Sequence, residues 1–310
     1  MIPKDLIEYV SEKLDIYQKE LIEKDLLLHE FLIELDKTDF TKKFAFKGGT
    51  CLIKCYLGYY RFSEDLDFSW INQEYFQQKS QGQIRKNLSE EINRLMEIFY
   101  TISNNLELDF KKQKDNRRYL EFGGSNRFIT FKFWYKSHIT GLEQFFKLQI
   151  NFVELFKYSI KTSKVGSVIE NIPKKEAIFL FPDIQPLISE LKIKTYDLKE
   201  IMLEKSRAIL TRKDIKVRDF LDLYFILKKL KVQLEDYERD IIEKIVFMLK
   251  YEKYAENIKT KETSLKEISI KEIEKLILVK IDDNFEVFLK DTKSFFIKIA
   301  QKITSLITSK

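Results

Sequence analysis

Apolar residues recur at helical spacing through residues 4–36, at Leu6, Val10, Leu14, Leu21, Leu26 and Phe31, with charged residues between them. That period predicts two amphipathic helices that cover another layer. The pattern then shortens. Phe44-Ala45-Phe46 reads as a brief apolar strand, Gly48-Gly49 as a turn, and Thr50 as the cap of a helix from Cys51 to about Leu57. A loop through Arg61 and Ser63 leads to strict alternation in Asp65-Leu66-Asp67-Phe68-Ser69-Trp70, the mark of a half-buried strand. The helical period returns over residues 84–103, with Ile84, Leu88, Ile92, Leu95, Met96 and Phe99 on the apolar side. Phe128–Tyr135 and Phe145–Val153 read as aromatic-rich strands joined by a turn at Gly141, and Ala177–Phe181 as a short strand stopped by Pro182. From about Thr195 onward the pattern is almost wholly helical.

The change of texture sets a boundary between residues 183 and 194. It divides an α+β domain, residues 1–185, from a helical domain, residues 186–310. A length of 310 residues accommodates two domains, and 44% hydrophobic residues with only 8 Gly and 4 Pro fit a helix-rich globular chain rather than a disordered one. The formal charge of +6 suits a nucleic-acid partner, and a lysine-rich solvated surface equally well. Residues 231–310 carry 16 Lys and Arg against 15 Asp and Glu, which argues against a basic tail there. Cys51 and Cys55 share one helical face and are read as a reduced pair. No apolar run has the length of a signal-peptide core or a membrane span, so the expectation is a cytoplasmic chain with no membrane partner.

The segment Lys47–Trp70 carries the chemistry. A strand running into two glycines and then a helix lets backbone approach a phosphate, with free N–H groups at the helix start. Asp65 and Asp67, two apart on a strand, point to one face. Side by side they repel each other, and a hard divalent cation that also binds phosphate oxygens relieves the repulsion. The flanking Phe62, Phe68 and Trp70 make two bare carboxylates costly, while a surface ion pair with Arg61 is the plainer alternative. His29 and His138 have no ligating neighbour at usable spacing and read as structural. The run Phe131–Tyr135 offers rings that pack a core or stack bases.

Lys47, Gly48, Gly49, Thr50 and Leu52, followed by Arg61, Ser63, Asp65, Leu66, Asp67 and Phe68, resemble the ungapped signature of the AbiEii/AbiGii toxin family of nucleotidyltransferase-fold proteins. A later stretch resembles the family's second motif at Glu204, Lys205, Arg207, Ala208, Arg212, Arg218, Asp219, Asp222 and Leu223. The resemblance implies a nucleotidyltransferase-like mixed sheet flanked by helices, a helical C-terminal domain, and an active cleft between them. It implies Asp65 and Asp67 as ligands of Mg²⁺ or Mn²⁺. An NTP would be held by Lys47, Gly48, Gly49, Thr50, Arg61, Ser63, Arg207, Arg212, Arg218 and Asp222, with Lys205 and Asp219 joining the aspartates in catalysis. It further implies the toxin half of a toxin–antitoxin or phage-defence pair, partnered by an antitoxin protein and adding nucleotides to the 3′ end of tRNA to block translation.

The residues leave alternatives open. Lys205, Arg212 and Arg218 are suitable cations for a triphosphate. The same motif also forms an internal net of Glu204 with Lys205 or Arg207 and of Arg218 with Asp222. Where a third carboxylate is common in this fold, the later strand offers Gln149 and Asn151, with Glu154 at the opposite parity. Asp219 is another source. Transfer to a protein acceptor, and an NTP-binding module without turnover, therefore stand beside tRNA modification.

Overall fold

The computed structural model describes residues 2–76, 79–123, 127–267 and 277–308. The chain forms two compact units, Met1–Glu154 with Ile160–Tyr196, and Leu155–Ser159 with Asp197–Lys310.

The first unit is built on a mixed seven-stranded sheet, β1 (Phe44–Lys47), β2 (Asp65–Trp70), β3 (Leu120–Gly123), β4 (Phe128–Lys136), β5 (Glu143–Asn151), β6 (Lys161–Lys164) and β7 (Lys192–Thr195), in the order β3-β4-β5-β2-β1-β7-β6. The central pairs are antiparallel β1–β2 and parallel β2–β5, with parallel β1–β7 beyond. Alternation gives the sheet two unlike faces. Phe46, Phe68, Phe131, Phe133, Phe146, Leu148 and Ile150 are buried and make the apolar one. Against it pack α2 (Lys19–Asp36), α3 (Phe40–Lys43) and α5 (Gln81–Asn105), through ring contacts such as Phe31–Phe133 at 4.7 Å, Phe40–Phe68 at 4.8 Å and Phe99–Phe131 at 4.7 Å, with α1 (Lys4–Leu14) against α2 and α4 (Gly48–Leu52) following β1. The other face is polar and carries Lys47, Asp65, Asp67, Ser69, Lys147, Gln149, Asn151, Thr130 and Lys132 in register.

The α+β class is as the sequence implied, and the differences are local. Ala177–Phe181 is no strand. It lies in α6 (Lys174–Leu180), which follows Pro173 and buries only Ala177, leaving Phe179 84% exposed. Five apolar residues fit either element, and Lys174-Lys175-Glu176 after a proline tips the choice to a helix. β6 and β7, Lys-Thr-Ser-Lys and Lys-Ile-Lys-Thr, are four-residue strands too short to be read from alternation, and β6, the edge strand, carries lysines of the kind that guard an edge. Thr50 does not cap. The helix begins at Gly48, and Ile53–Leu57 continue it as a π-helix. Cys51 and Cys55 are free thiols, as expected.

The second unit comprises α7 (Leu198–Thr211), α8 (Val217–Leu230), α9 (Glu238–Met248), α10 (Glu252–Lys259), α11 (Lys261–Lys266) and α12 (Asn284–Thr308). Asp197 caps α7 by accepting the Lys199 N–H at 2.8 Å. A buried ion pair explains why Leu155–Ser159 belong here. Glu200 accepts the N–H groups of Lys157 and Tyr158 at 2.9 and 2.8 Å, while Lys244 bonds Glu200 and donates to the Leu155 carbonyl at 2.8 Å.

Candidate active site

β1 and β2 bring the first motif together. Their antiparallel register sets Lys47 opposite Asp67, and Gly48 follows at φ +77°, a left-handed backbone that glycine adopts without strain. A Cβ at Gly48 would stand 2.2 Å from Asp67 Oδ2 and 2.9 Å from its Cβ and Cγ. One at Gly49 would meet Arg61 Nη2 at 2.8 Å and Ser63 Oγ at 2.9 Å. The glycine pair is thus required twice, by conformation and by close approach, and it seats the turn directly against a carboxylate.

Thr50 fixes the arrangement from within the helix. Its hydroxyl bonds Ser63 Oγ at 2.9 Å and the Asp65 carbonyl, tying the loop before β2 to the helix after β1. Arg61 is only 1% exposed and donates to the Phe62 carbonyl at 2.7 Å, so it is a buried scaffold cation rather than half of a surface pair. Leu66 and Phe68 are buried on the opposite face, which leaves the Asp65 and Asp67 carboxylates together on the polar one, each half-buried. Among the described residues the Asp67 carboxylate has no hydrogen-bond or ion-pair partner.

Glu154 is a carboxylate that strand parity had set aside. β5 ends at Asn151, so alternation no longer governs residue 154. The Glu154 side chain is 2% exposed, lies 3.4 Å from Lys47 Nζ and accepts from Asn151 Nδ2 at 3.1 Å. Its N–H donates to Gln73 Oε1 at 2.7 Å. Tyr196 was also missed. Its hydroxyl donates to Ser69 Oγ at 2.7 Å, and its ring lies 5.4 Å from Lys47 Nζ. Gln149, in register with Asp67, donates to Thr130 Oγ1 at 3.2 Å. Among the described residues no three His, Cys, Asp or Glu side chains converge as a metal site.

The second motif gathers in the helical unit. Lys205 on α7 lies 2.8 Å from Asp219 Oδ1 and 2.6 Å from Asp222 Oδ2, both on α8, and Arg212 pairs with the other oxygen of Asp219. Burial opposes ionisation of Asp219, but the Lys205 and Arg212 cations outweigh it and hold its carboxyl below the usual range. Arg207 pairs with Glu204 at 2.8 Å, as helical spacing suggested, whereas Asp222 takes Lys205 rather than Arg218. Arg218 is half-buried in the first turn of α8. Both histidines are structural: His138 Nδ1 lies 2.9 Å from the Ile2 carbonyl, and His29 is 1% exposed.

No curated protein matches the chain. Two solved structures from Helicobacter pylori are similar over 94% of this chain and 97% of theirs: JHP933, at 14% identity and TM-score 0.43, and a candidate nucleotidyltransferase, at 17% identity and TM-score 0.39. Residues 30–301, spanning both motifs, match the family described as nucleotidyl transferase AbiEii toxin of type IV toxin–antitoxin systems. The chain belongs to that AbiEii family of nucleotidyltransferase toxins.

Proposed function

We propose that this protein transfers a nucleoside monophosphate from an NTP onto the 3′ end of tRNA, with Asp65 and Asp67 as the catalytic carboxylates. The observation that carries the reading is the interlock of Gly48 with Asp67. A turn that admits no side chain is held against a carboxylate that no protein cation neutralises, which leaves that carboxylate to a metal ion and the turn's backbone to a phosphate in this reading. Two half-buried aspartates on one face supply the hard oxygen donors that Mg²⁺ or Mn²⁺ prefers, with phosphate oxygens completing the shell. A divalent ion held there would stabilise charge on the transferring phosphate and acidify the attacking hydroxyl.

The chain's own contribution is positioning. Gly48 and Gly49 let the triphosphate approach the backbone, and Thr50 with Ser63 holds that turn in register with β2. Lys47 adds a cation near the phosphates, set by Glu154. In the helical unit, Lys205, Arg207, Arg212 and Arg218 are the nucleotide-binding cations of this reading, with Asp219 and Asp222 orienting Lys205. Family membership implies an antitoxin partner and an NTP substrate.

The test incubates the protein with Mg²⁺, total tRNA and each α-³²P-labelled NTP in turn, beside Asp65→Ala/Asp67→Ala. Label on tRNA that the double variant abolishes supports the reading. Label on protein instead moves the acceptor, and γ-label transfer without α-label overturns nucleotidyl transfer. One observation favours a binding module without turnover: Gln149, a neutral amide, stands in register with Asp67 where a third carboxylate would serve as base. That reading predicts NTP binding with no labelled product.

A further inference from the structure

Asp65 has a neighbour on β5 that the site does not use. Lys147 stands in parallel register with Asp65, one strand spacing of about 4.8 Å away, and Lys132 on β4 stands opposite Lys147. Two residues along, Phe145 and Trp134 face each other with ring centroids 4.6 Å apart. All four project from the polar face of the sheet and all are half-buried. Lys147 Nζ lies 5.8 Å and Lys132 Nζ 5.9 Å from the Phe145 ring, so two ammonium groups adjoin that ring. Lys132 is paired with Glu121, and Arg118 stacks on Trp134 at 4.1 Å while held by Asp109 and Glu143. Lys147 differs: among the described residues it has no ion-pair or hydrogen-bond partner. A half-buried lysine that bonds no protein anion beside a catalytic carboxylate is a place kept for an anion from outside.

The direction of the chemistry identifies that anion. Displacement at phosphorus sets the attacking and leaving oxygens on opposite sides. The Gly48–Gly49 turn lies on the β1 side of Asp67, so with the triphosphate on that turn, as proposed above, pyrophosphate would leave toward β1 and the attacking hydroxyl would enter over β5. We infer that the polar face of the β4–β5 hairpin binds the single-stranded 3′ end of the acceptor nucleic acid, Lys147 taking a backbone phosphate near the terminus and Phe145 stacking a base. The inference rests on the proposed transfer to RNA. The pairing of an aromatic platform with a lysine matches single-strand recognition, in which stacking tolerates sequence and cations track phosphates.

The test uses the full chain and a short single-stranded RNA bearing a free 3′-hydroxyl. Its affinity is measured against salt, and KM for the RNA is measured in the labelling assay. Phe145→Leu, which keeps an apolar side chain in place, weakens RNA binding about tenfold. Lys147→Met lowers the log–log salt slope by about one, and Lys147→Arg restores it. Both variants raise KM for RNA and leave NTP affinity unchanged. If wild type binds and labels RNA while Phe145→Leu and Lys147→Met match it in affinity, slope and KM, the surface is wrong and the acceptor reading stands. If wild type binds no RNA yet transfers label to protein, the acceptor reading fails and the surface falls with it.

Discussion

Replacing Gly48 with alanine tests the interlock most directly. A non-glycine residue in the left-handed region costs about 1–2 kcal/mol. The new methyl would also stand 2.2 Å from Asp67 Oδ2 and 2.9 Å from Asp67 Cβ. The second contact is with the root of a short side chain on a paired strand, which cannot swing clear. Forced overpacking of this kind adds about 1–3 kcal/mol. Gly141 supplies the control: its φ is +71° and a Cβ there would meet nothing within 4 Å, so Gly141→Ala bears the backbone cost alone. At about 2–4 °C per kcal/mol, Gly141→Ala should lower Tm by about 2–8 °C and Gly48→Ala by about 4–20 °C. Thermal unfolding of the two variants, followed by nucleotide-transfer rates below both transitions, separates the effects. Gly48→Ala should also lose about a hundredfold in transfer, because Asp67 is displaced even while the fold persists. Equal Tm losses for the two variants, with transfer by Gly48→Ala intact, would refute the interlock.

Three further outcomes follow from the same geometry. Asp67→Asn should abolish transfer yet leave stability within about 0.5 kcal/mol of wild type, because the carboxylate has no protein partner to lose; a large drop in urea midpoint would show a structural role. Burial, and then the Lys54 cation, drive His29 from 6.5 to about 3, so its contribution to stability is whole above the unfolded value and is lost as pH falls from about 6.5 toward 3. That loss amounts to at most about 1.4 kcal/mol per pH unit, and His29→Leu should flatten the fall seen in urea titrations between pH 6.5 and 4. Lys205→Met removes the cation shared by the buried Asp219 and Asp222, so it should destabilise the helical unit by about 3–5 kcal/mol, whereas Lys205→Met/Asp222→Leu should recover part of that loss in calorimetry.

Much of the site was legible because its parts are local. Alternation at Asp65, Leu66 and Asp67 set the two carboxylates on one face, and a glycine pair between strand and helix marked the turn. The run Phe131–Tyr135 raised two roles, core or stacking platform. Phe131, Phe133 and Tyr135 pack the core, while Lys132 and Trp134 take the other face. Strand parity could not place Glu154, since parity holds only while the strand lasts and β5 stops three residues earlier; its contact with Lys47 comes from the tertiary fold. The Ala177–Phe181 run was too short to show a period, and the polar turn Lys174-Lys175-Glu176 after Pro173, outside the run itself, starts the helix.

By itself, the sequence determined the class of the fold and the family and singled out the candidate site residues, because these follow from side-chain type, short-range period and an ungapped motif. The tertiary structure alone decided which partners those residues take. Lys205 turns to Asp219 and Asp222, Lys47 to Glu154, and Lys147 and Asp67 are left without hydrogen-bond or ion-pair partners among the described residues. Cross-strand register and helix–helix approach join residues tens to a hundred positions apart. Nothing in a local pattern specifies the distance between two charges brought together by such long-range closure.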